Sequence, residues 1–383
     1  MFRLSVLLFG LAAPRLFAAM PAFQEHLVAG DLKGGYQVVP FDVNRDGRMD
    51  LIALASGMPE LVWFENPGWQ RRVLARGLNR MINLAACPAI EEIVVAHEFA
   101  NQPKNSIGIV SVLTPGADRS APWSAREIDR LTTSHRLRCA DVDGSGKPVV
   151  INAPLAGAKA EAPDYRDQAP LVYYQPGEWK RMPINEANHG VVHGIFITPW
   201  RSGWRGPDCV LTASFDGLHA HCRVGGQWTR ELIHAGDPAA APKSGSSDVA
   251  VGRLGRSRRF LAAVEAWHGE QVVIYHGAPG KTWSRTVIDR SLVDGHTIVT
   301  GDLDGDGRDE VVAGYRGKGR SVYLYRAKDQ RGLEWEKTVL DDGGIAAAAC
   351  VALDLNGDKR PDIACIGSAT TNLKWYENLG ARR

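Results

Sequence analysis

The 383-residue chain has no basic run and almost no net charge, +2 from 45 lysines and arginines against 43 acids. That balance offers nothing to grip a phosphate backbone or an anionic lipid surface, which argues against nucleic-acid and membrane-surface partners. G-x-S-x-G, H-E-x-x-H, C-x-x-C and a glycine loop leading into a helix are all missing. Serine-elbow hydrolases, zincins, thiol redox proteins and nucleotide enzymes are disfavoured accordingly. No long amphipathic helical pattern is present. The opening MFRLSVLLFGLAAPRLFAAM carries Arg3, an apolar run from Leu4 to Ala13 and small residues at Ala18 and Ala19. It reads as a secretory signal peptide over residues 1–19, too short to span a bilayer, so the mature chain is expected in the secreted or periplasmic space.

Cysteine is scarce, with six residues. Cys209 and Cys222 lie symmetrically about the turn at Phe215–Asp216, and Cys350 and Cys365 about an acidic loop, so each pair is placed for a cross-strand disulfide. Cys87 and Cys139 remain as a third pair. The alternative is six buried free thiols, because bridge geometry is not written in spacing.

What the chain does have is an acidic loop that recurs. HTIVTGDLDGDGRDEVVAG reads as strand, tight loop, strand, with Asp302, Asp304 and Asp306 at alternate positions, Gly307 at the turn and Glu310 closing. Hard oxygen ligands at that spacing wrap one Ca²⁺. Asp42, Asn44, Asp46 and Asp50 repeat the pattern, as do Asp354, Asn356, Asp358 and Asp362. A fourth copy keeps Asp141, Asp143 and Ser145 but has Val149 in place of the closing acid, and is expected to bind Ca²⁺ weakly or not at all. The three intact loops are expected to be structural calcium sites.

A second period fixes the architecture. Trp69, Trp123, Trp179, Trp228, Trp283 and Trp335 recur at roughly fifty-residue intervals, each with Leu or Ile five places on, which is the length of one propeller blade. Apolar runs leave the acidic loops (LIALA, EIVVA, VVINA, CVLTA, FLAAV, EVVAG, DIACI), and runs such as LVWFE, LVYYQ, VVIYH, VYLYR and LKWYE follow as third strands. Counting the first set gives seven blades. The last blade ends without its fourth strand, while Phe23 to Val28 has that strand's pattern near the start. The expected fold is all-β: a seven-bladed β-propeller over residues 21–383, closed by the N-terminal strand.

The D-x-[DN]-x-D-G-x-x-[DE] loop, once per blade, resembles the FG-GAP or VCBS-type repeat of integrin-like propellers. The WFENPGW and YYQPGEW segments are similar to the propeller part of the aldos-2-ulose dehydratases, which β-eliminate from sugars. The first resemblance implies binding of a glycan or protein. The second implies carbon–oxygen lyase chemistry on a carbohydrate, without the step assigned to the cupin modules that this sequence lacks.

In a propeller, the starts of the inner strands and the ends of the second strands share one face. Six places before each acidic loop the sequence has Tyr36, Arg80, His135, His193, Ser247 or Asp248, His296 and Ala348. His135, His193 and His296 at one station suggest a site for Zn²⁺ or another divalent transition metal, or else a polar channel mouth bridged by water. The second-strand exits add His97 and Glu98, Asp216, Glu265, Trp267, His268, Tyr315 and Arg316. Glu265 or His268 is the expected base. Tyr36, Arg80, His97, Trp267, Tyr315 and Arg316 are the expected contacts to a sugar. The longest connections, Pro154–Ala169, His97–Ser106 and Gly236–Ser247, fall on the same face, as site-building loops do.

Overall fold

The computed structural model describes residues 20–201 and 205–381. The expected signal peptide lies outside them. Seven four-stranded antiparallel sheets follow one another round a ring. Second strands such as Asp50–Ala55 and Glu310–Tyr315 are buried along their whole length, because each is covered by the blades on both sides. Outer strands such as Ser124–Arg130 are largely exposed instead. The ring closes as expected. Pro21–Ala29 pairs antiparallel with Leu373–Ala381, matching Phe23 to Asn378 and His26 to Trp375, and gives the last blade its fourth strand. No open sheet edge is left at the join.

The core lies between blades. Trp123 is buried and its amide bonds the Leu74 carbonyl of the blade before, and Trp200 stacks on Trp283 of the next blade with ring centroids 5.5 Å apart. Trp123 and Trp283 of the repeating set therefore act as wedges between blades. Asparagines in or just past two third strands add bolts: Asn66 donates to the Leu355 carbonyl at 2.6 Å, and Asn378 to the Leu303 carbonyl at 2.8 Å. These bonds tie the acidic loops of blades six, seven and one to one another across the closure. Among the described residues no helix is long and apolar enough to cross a membrane.

All six cysteines are paired. Cys209–Cys222 and Cys350–Cys365 are directly opposed cross-strand partners, and Cys87–Cys139 joins blades two and three with Cα atoms 5.8 Å apart. The last closes a loop with a sequence separation of 52. Chain-entropy reasoning gives such a bridge about 4 kcal/mol. The Cys87→Ser, Cys139→Ser double variant is expected to lose about that much unfolding free energy in a denaturant titration. An unfolding free energy within about 1 kcal/mol of the parent would refute a structural role for the bridge.

Candidate active site

The station residues reach the channel mouth through an irregularity that spacing does not show. Tyr36, His135, His193, His296 and Ala348 are each the extra residue where the register of inner and second strand slips by one. A bulge of this kind re-aims one side chain out of the sheet, here into the channel. Gly194 follows His193 because a Cβ there would lie 2.6 Å from the Asp248 carboxylate and 2.8 Å from the Ser247 carbonyl. That close approach lets His193 Nδ1 reach Ser247 O at 3.1 Å.

Above the histidines lies a cleft of about 480 Å³, whose wall includes Tyr36, Arg80, Ile82, Phe99, Trp267 and Arg316. Its floor holds a ring cluster. His193 lies 5.0 Å from His135, 4.8 Å from His268 and 4.9 Å from His296, centroid to centroid. Donor nitrogens of His193, His268 and His296 all lie within 4.8 Å of one another. His135 stands beside this set, its Nε2 taken by the Tyr36 hydroxyl at 2.7 Å. His268, expected as a base, thus joins two of the three expected ligands, and His135 pairs with a tyrosine.

The outer nitrogens fix the rings. His193 Nδ1 faces the Ser247 carbonyl, His296 Nδ1 faces the Ala348 carbonyl at 2.6 Å, and His268 Nδ1 faces the Asp294 carboxylate at 3.1 Å. Carbonyls only accept, so Nδ1 of His193 and of His296 carries its proton and their Nε2 atoms present lone pairs inward. His268 Nδ1 lies between the Asp294 carboxylate and Arg316 Nη2, a donor, and either of its tautomers finds a partner there. His296 Nε2 is buried with no hydrogen-bond partner, and the Nε2 atoms of His193 and His268 meet at 3.1 Å. Two lone pairs at that distance repel unless a proton or a cation lies with them. Without a cation, His268 can relieve this by turning over its tautomer: Nε2–H then donates to His193, and Nδ1 accepts from Arg316 Nη2 at 3.2 Å. Three imidazoles anchored through their outer nitrogens are a donor set that suits a transition metal.

Electrostatics favour the neutral rings that ligation needs. Burial holds His135, His193 and His296 well below the usual imidazole value, with neighbouring cations such as Arg136 and Arg316 adding to it. Burial also lowers His268, against the hydrogen bond that it donates to the Asp294 carboxylate. For Asp294 burial alone would raise the carboxyl, but His268 and the Arg316 guanidinium bring it down to about 2. His268 and Asp294 have φ of 49° and 62°, left-handed backbone that non-glycine residues adopt at a cost, so the pairing is built under strain.

Other expected residues lie elsewhere. Arg80 is on the cleft wall and paired with Glu98, but it is not at the bulge station: Asn83 begins the inner strand of blade two, and Ile82 occupies the place that Tyr36 holds in blade one. Trp267 faces the cleft, held edge-on by Tyr165 at 5.5 Å and backed by Phe215. The long loops build this support, since Leu155, Ala156, Ala160 and Tyr165 pack with Phe215 as a small core of their own. Three residues are corrected. Glu265 does not face the cleft; it is fully buried, and Ser246 at 2.7 Å, Tyr275 and Arg285 at 2.8 Å occupy its oxygens. His97 is buried against Ser111 at 3.0 Å, and Tyr315 is buried beside Tyr323. None of the three lines the cleft. Alternation along a strand turned each of them into the blade rather than onto the mouth.

On the opposite face, the acidic loops differ from one another. In blade six, Asp302, Asp304 and Glu310 bring oxygens within 4.8 Å of each other, and Asp302 Oδ1 and Asp304 Oδ2 are buried with no hydrogen-bond partner. Burial first, then Asp304, pushes the Glu310 carboxyl up to about 8. Asp306 turns to Arg308 instead. In blades one and seven the second ligand position is an amide: Asn44 donates to Glu65 at 2.9 Å and Asn356 to Asp358 at 3.2 Å. Their closing acids, Asp50 and Asp362, each accept two backbone N–H groups. Asp42 and Asp354 likewise accept the backbone N–H groups of their own turns. The defective loop of blade three closes on itself through Asp141 in the same way.

Residues 108–278 match the family described as aldos-2-ulose dehydratase, beta-propeller domain. Both resemblances read from the sequence hold. Residues 302–365 match the FG-GAP-like repeat, a segment that spans the acidic loops of blades six and seven. The dehydratase segment contains His135, His193, Trp267 and His268. Aldos-2-ulose dehydratase of Phanerodontia chrysosporium is 24% identical over 396 residues, which covers 88% of this chain and 43% of that protein. The chain therefore spans less than half the length of that relative. Among solved structures, the crystal structure of BBS1N in complex with ARL6DN superposes with a TM-score of 0.57 at 12% identity, covering 94% of this chain and 98% of the other. That likeness concerns the fold alone.

Proposed function

We propose that the chain is an exported carbon–oxygen lyase that eliminates water from a keto sugar in the histidine-floored cleft. The observation that carries this reading is the convergence of three anchored imidazoles, His193, His268 and His296, beside the Tyr36–His135 pair. A zinc or similar ion held by the three would supply Lewis acidity towards a carbonyl oxygen. The Tyr36 hydroxyl gives its proton to His135 Nε2, to which it is already hydrogen-bonded, as its oxygen takes the proton α to that carbonyl. The same pair returns the proton to the departing β-hydroxyl, so a C–H and a C–O bond break, a C=C bond forms, and water leaves. Trp267 offers a ring face to the sugar, and Arg80 and Arg316 offer donors to its hydroxyls. The dehydratase relative supports the substrate class. The six paired cysteines support the exported location. The direct test is an ultraviolet scan of the zinc-loaded protein with 2-keto sugars. Growth of a conjugated enone band that chelation abolishes is expected. A flat scan with every sugar, together with measurable glycan binding, would replace this reading by the non-catalytic binding propeller that the FG-GAP-like match also fits.

Calcium belongs to the other face. We infer that blade six holds the strongest Ca²⁺ site, because only there are buried carboxylate oxygens left without hydrogen-bond donors among the described acidic loops. The loops of blades one and seven meet much of their own charge with backbone N–H groups and amide nitrogens, and would bind Ca²⁺ more weakly.

A further inference from the structure

Beneath the histidine floor the channel continues as a second, separate cavity of about 300 Å³, lined by all seven inner strands. Its chemistry is unlike that of the cleft. Arg136 and Arg138 stand at alternate positions of one inner strand, so both project to the lumen, and both line it. Asp248 is the one carboxylate among the described lining residues. Neither arginine forms an ion pair within 4.0 Å with it or with any other described acid. Arg136 is nine-tenths buried, its Nε donating to the His193 carbonyl at 2.8 Å and its guanidinium lying 5.3 Å over the Tyr36 ring. Arg138 donates to Asn83 Oδ1 at 3.0 Å and to the Leu137 carbonyl at 2.8 Å. The same Asn83 is almost wholly buried, and its Nδ2 has no acceptor. Two guanidiniums and an orphaned amide donor thus line one lumen with a single counter-charge.

Cations in a protein interior without a paired anion are costly, and guanidinium forks match the planar spread of an oxyanion. Burial lowers Arg138 only to about 10, so it stays charged at neutral pH. We propose that this inner chamber is an oxyanion site, in which Arg136, Arg138 and the Asn83 amide hold one sulfate-, phosphate- or carboxylate-type group per chain. The proposal stands whether or not the cleft catalyses elimination, although Arg136 also lies over Tyr36 and holds the His193 carbonyl. The shared ligand chemistry admits two sources, a free inorganic ion or the carboxylate of a sugar acid.

The probe is labelled sulfate in equilibrium dialysis against the full, calcium-loaded chain. Saturable uptake of one sulfate is expected, weakened roughly tenfold or more by Arg138→Gln, which removes a charge-assisted donor, and strengthened by Asp248→Asn. Displacement of the bound sulfate by glucuronate would assign the group to a sugar acid, and retention would assign it to a free ion. Uptake that does not saturate, or that is equal in parent and Arg138→Gln, overturns the proposal. Should the variants not fold, selenate soaked into crystals of the parent gives the same answer. An anomalous peak between Arg136 and Arg138 supports the site, and peaks only elsewhere, an adventitious ion only, overturn it.

Discussion

Replacing Tyr36 by phenylalanine is expected to slow enone formation from a keto sugar by about 10²- to 10⁴-fold, the usual worth of a positioned proton carrier. The variant loses one oxygen and keeps the ring. That ring is held by Arg136 over one face and by His296 at a centroid distance of 5.2 Å, so neither the fold nor the three-imidazole set should move. The loss should therefore fall on turnover, with zinc content unchanged and KM nearly so. His135→Gln should reproduce much of the effect, because the hydroxyl at 2.7 Å then has no base to receive its proton. Parent-like turnover in Tyr36→Phe would remove the Tyr36–His135 pair from the mechanism.

The second large effect is the dependence of stability on calcium and pH together. Glu310 is buried, and its carboxyl is raised to about 8 from an ordinary 4.5. A carboxyl that titrates higher when folded prefers to keep its proton in the folded state. The chelated protein thus has its full stability below about pH 4.5 as far as this group is concerned, and loses it as pH rises through about 8, by roughly 3–5 kcal/mol. Calcium reverses the sense, since it needs the carboxylate. Saturating Ca²⁺ adds about 2.7 kcal/mol at a hundredfold excess over Kd, and the gain should grow from about pH 5 to about pH 8. Melting curves with calcium and with chelator at those two pH values measure this. Glu310→Gln should abolish the pH-dependent part while leaving the fold at low pH intact. An equal calcium shift at both pH values, with metal removal verified, would rule out Glu310 as a ligand.

The blade count was legible because strand alternation, tryptophans and acidic turns all repeat with the same period. The ring closure was legible because one strand was missing at the end and one was spare near the start. The bulges were not, since an inserted residue leaves no mark in composition. That is why Arg80 falls at the right count but Ile82 at the right place. His268 was picked out only as an exit residue. Its convergence on His193 depends on left-handed backbone at φ 49° and on Asp294, which lies in the entry loop of the next blade and belongs to no sequence pattern shared with His268. Glu265 misled because an acid at a strand exit resembles a catalytic group until its partners Ser246, Tyr275 and Arg285 are seen. Arg136 and Arg138 did carry a signal, alternation along an inner strand, which marks two side chains facing one lumen.

The measurement that tests the account most directly is zinc stoichiometry, by titration and elemental analysis, of the calcium-saturated parent and four single alanine variants. The parent should bind one zinc. His193→Ala, His268→Ala and His296→Ala should each lose most of the affinity, while His135→Ala keeps it. Because burial depresses these imidazoles, binding should also persist below about pH 6.5, the ordinary imidazole value. A parent that takes up no zinc, or a set in which His135→Ala loses the metal and His268→Ala does not, would contradict the three-imidazole site and the elimination chemistry built upon it.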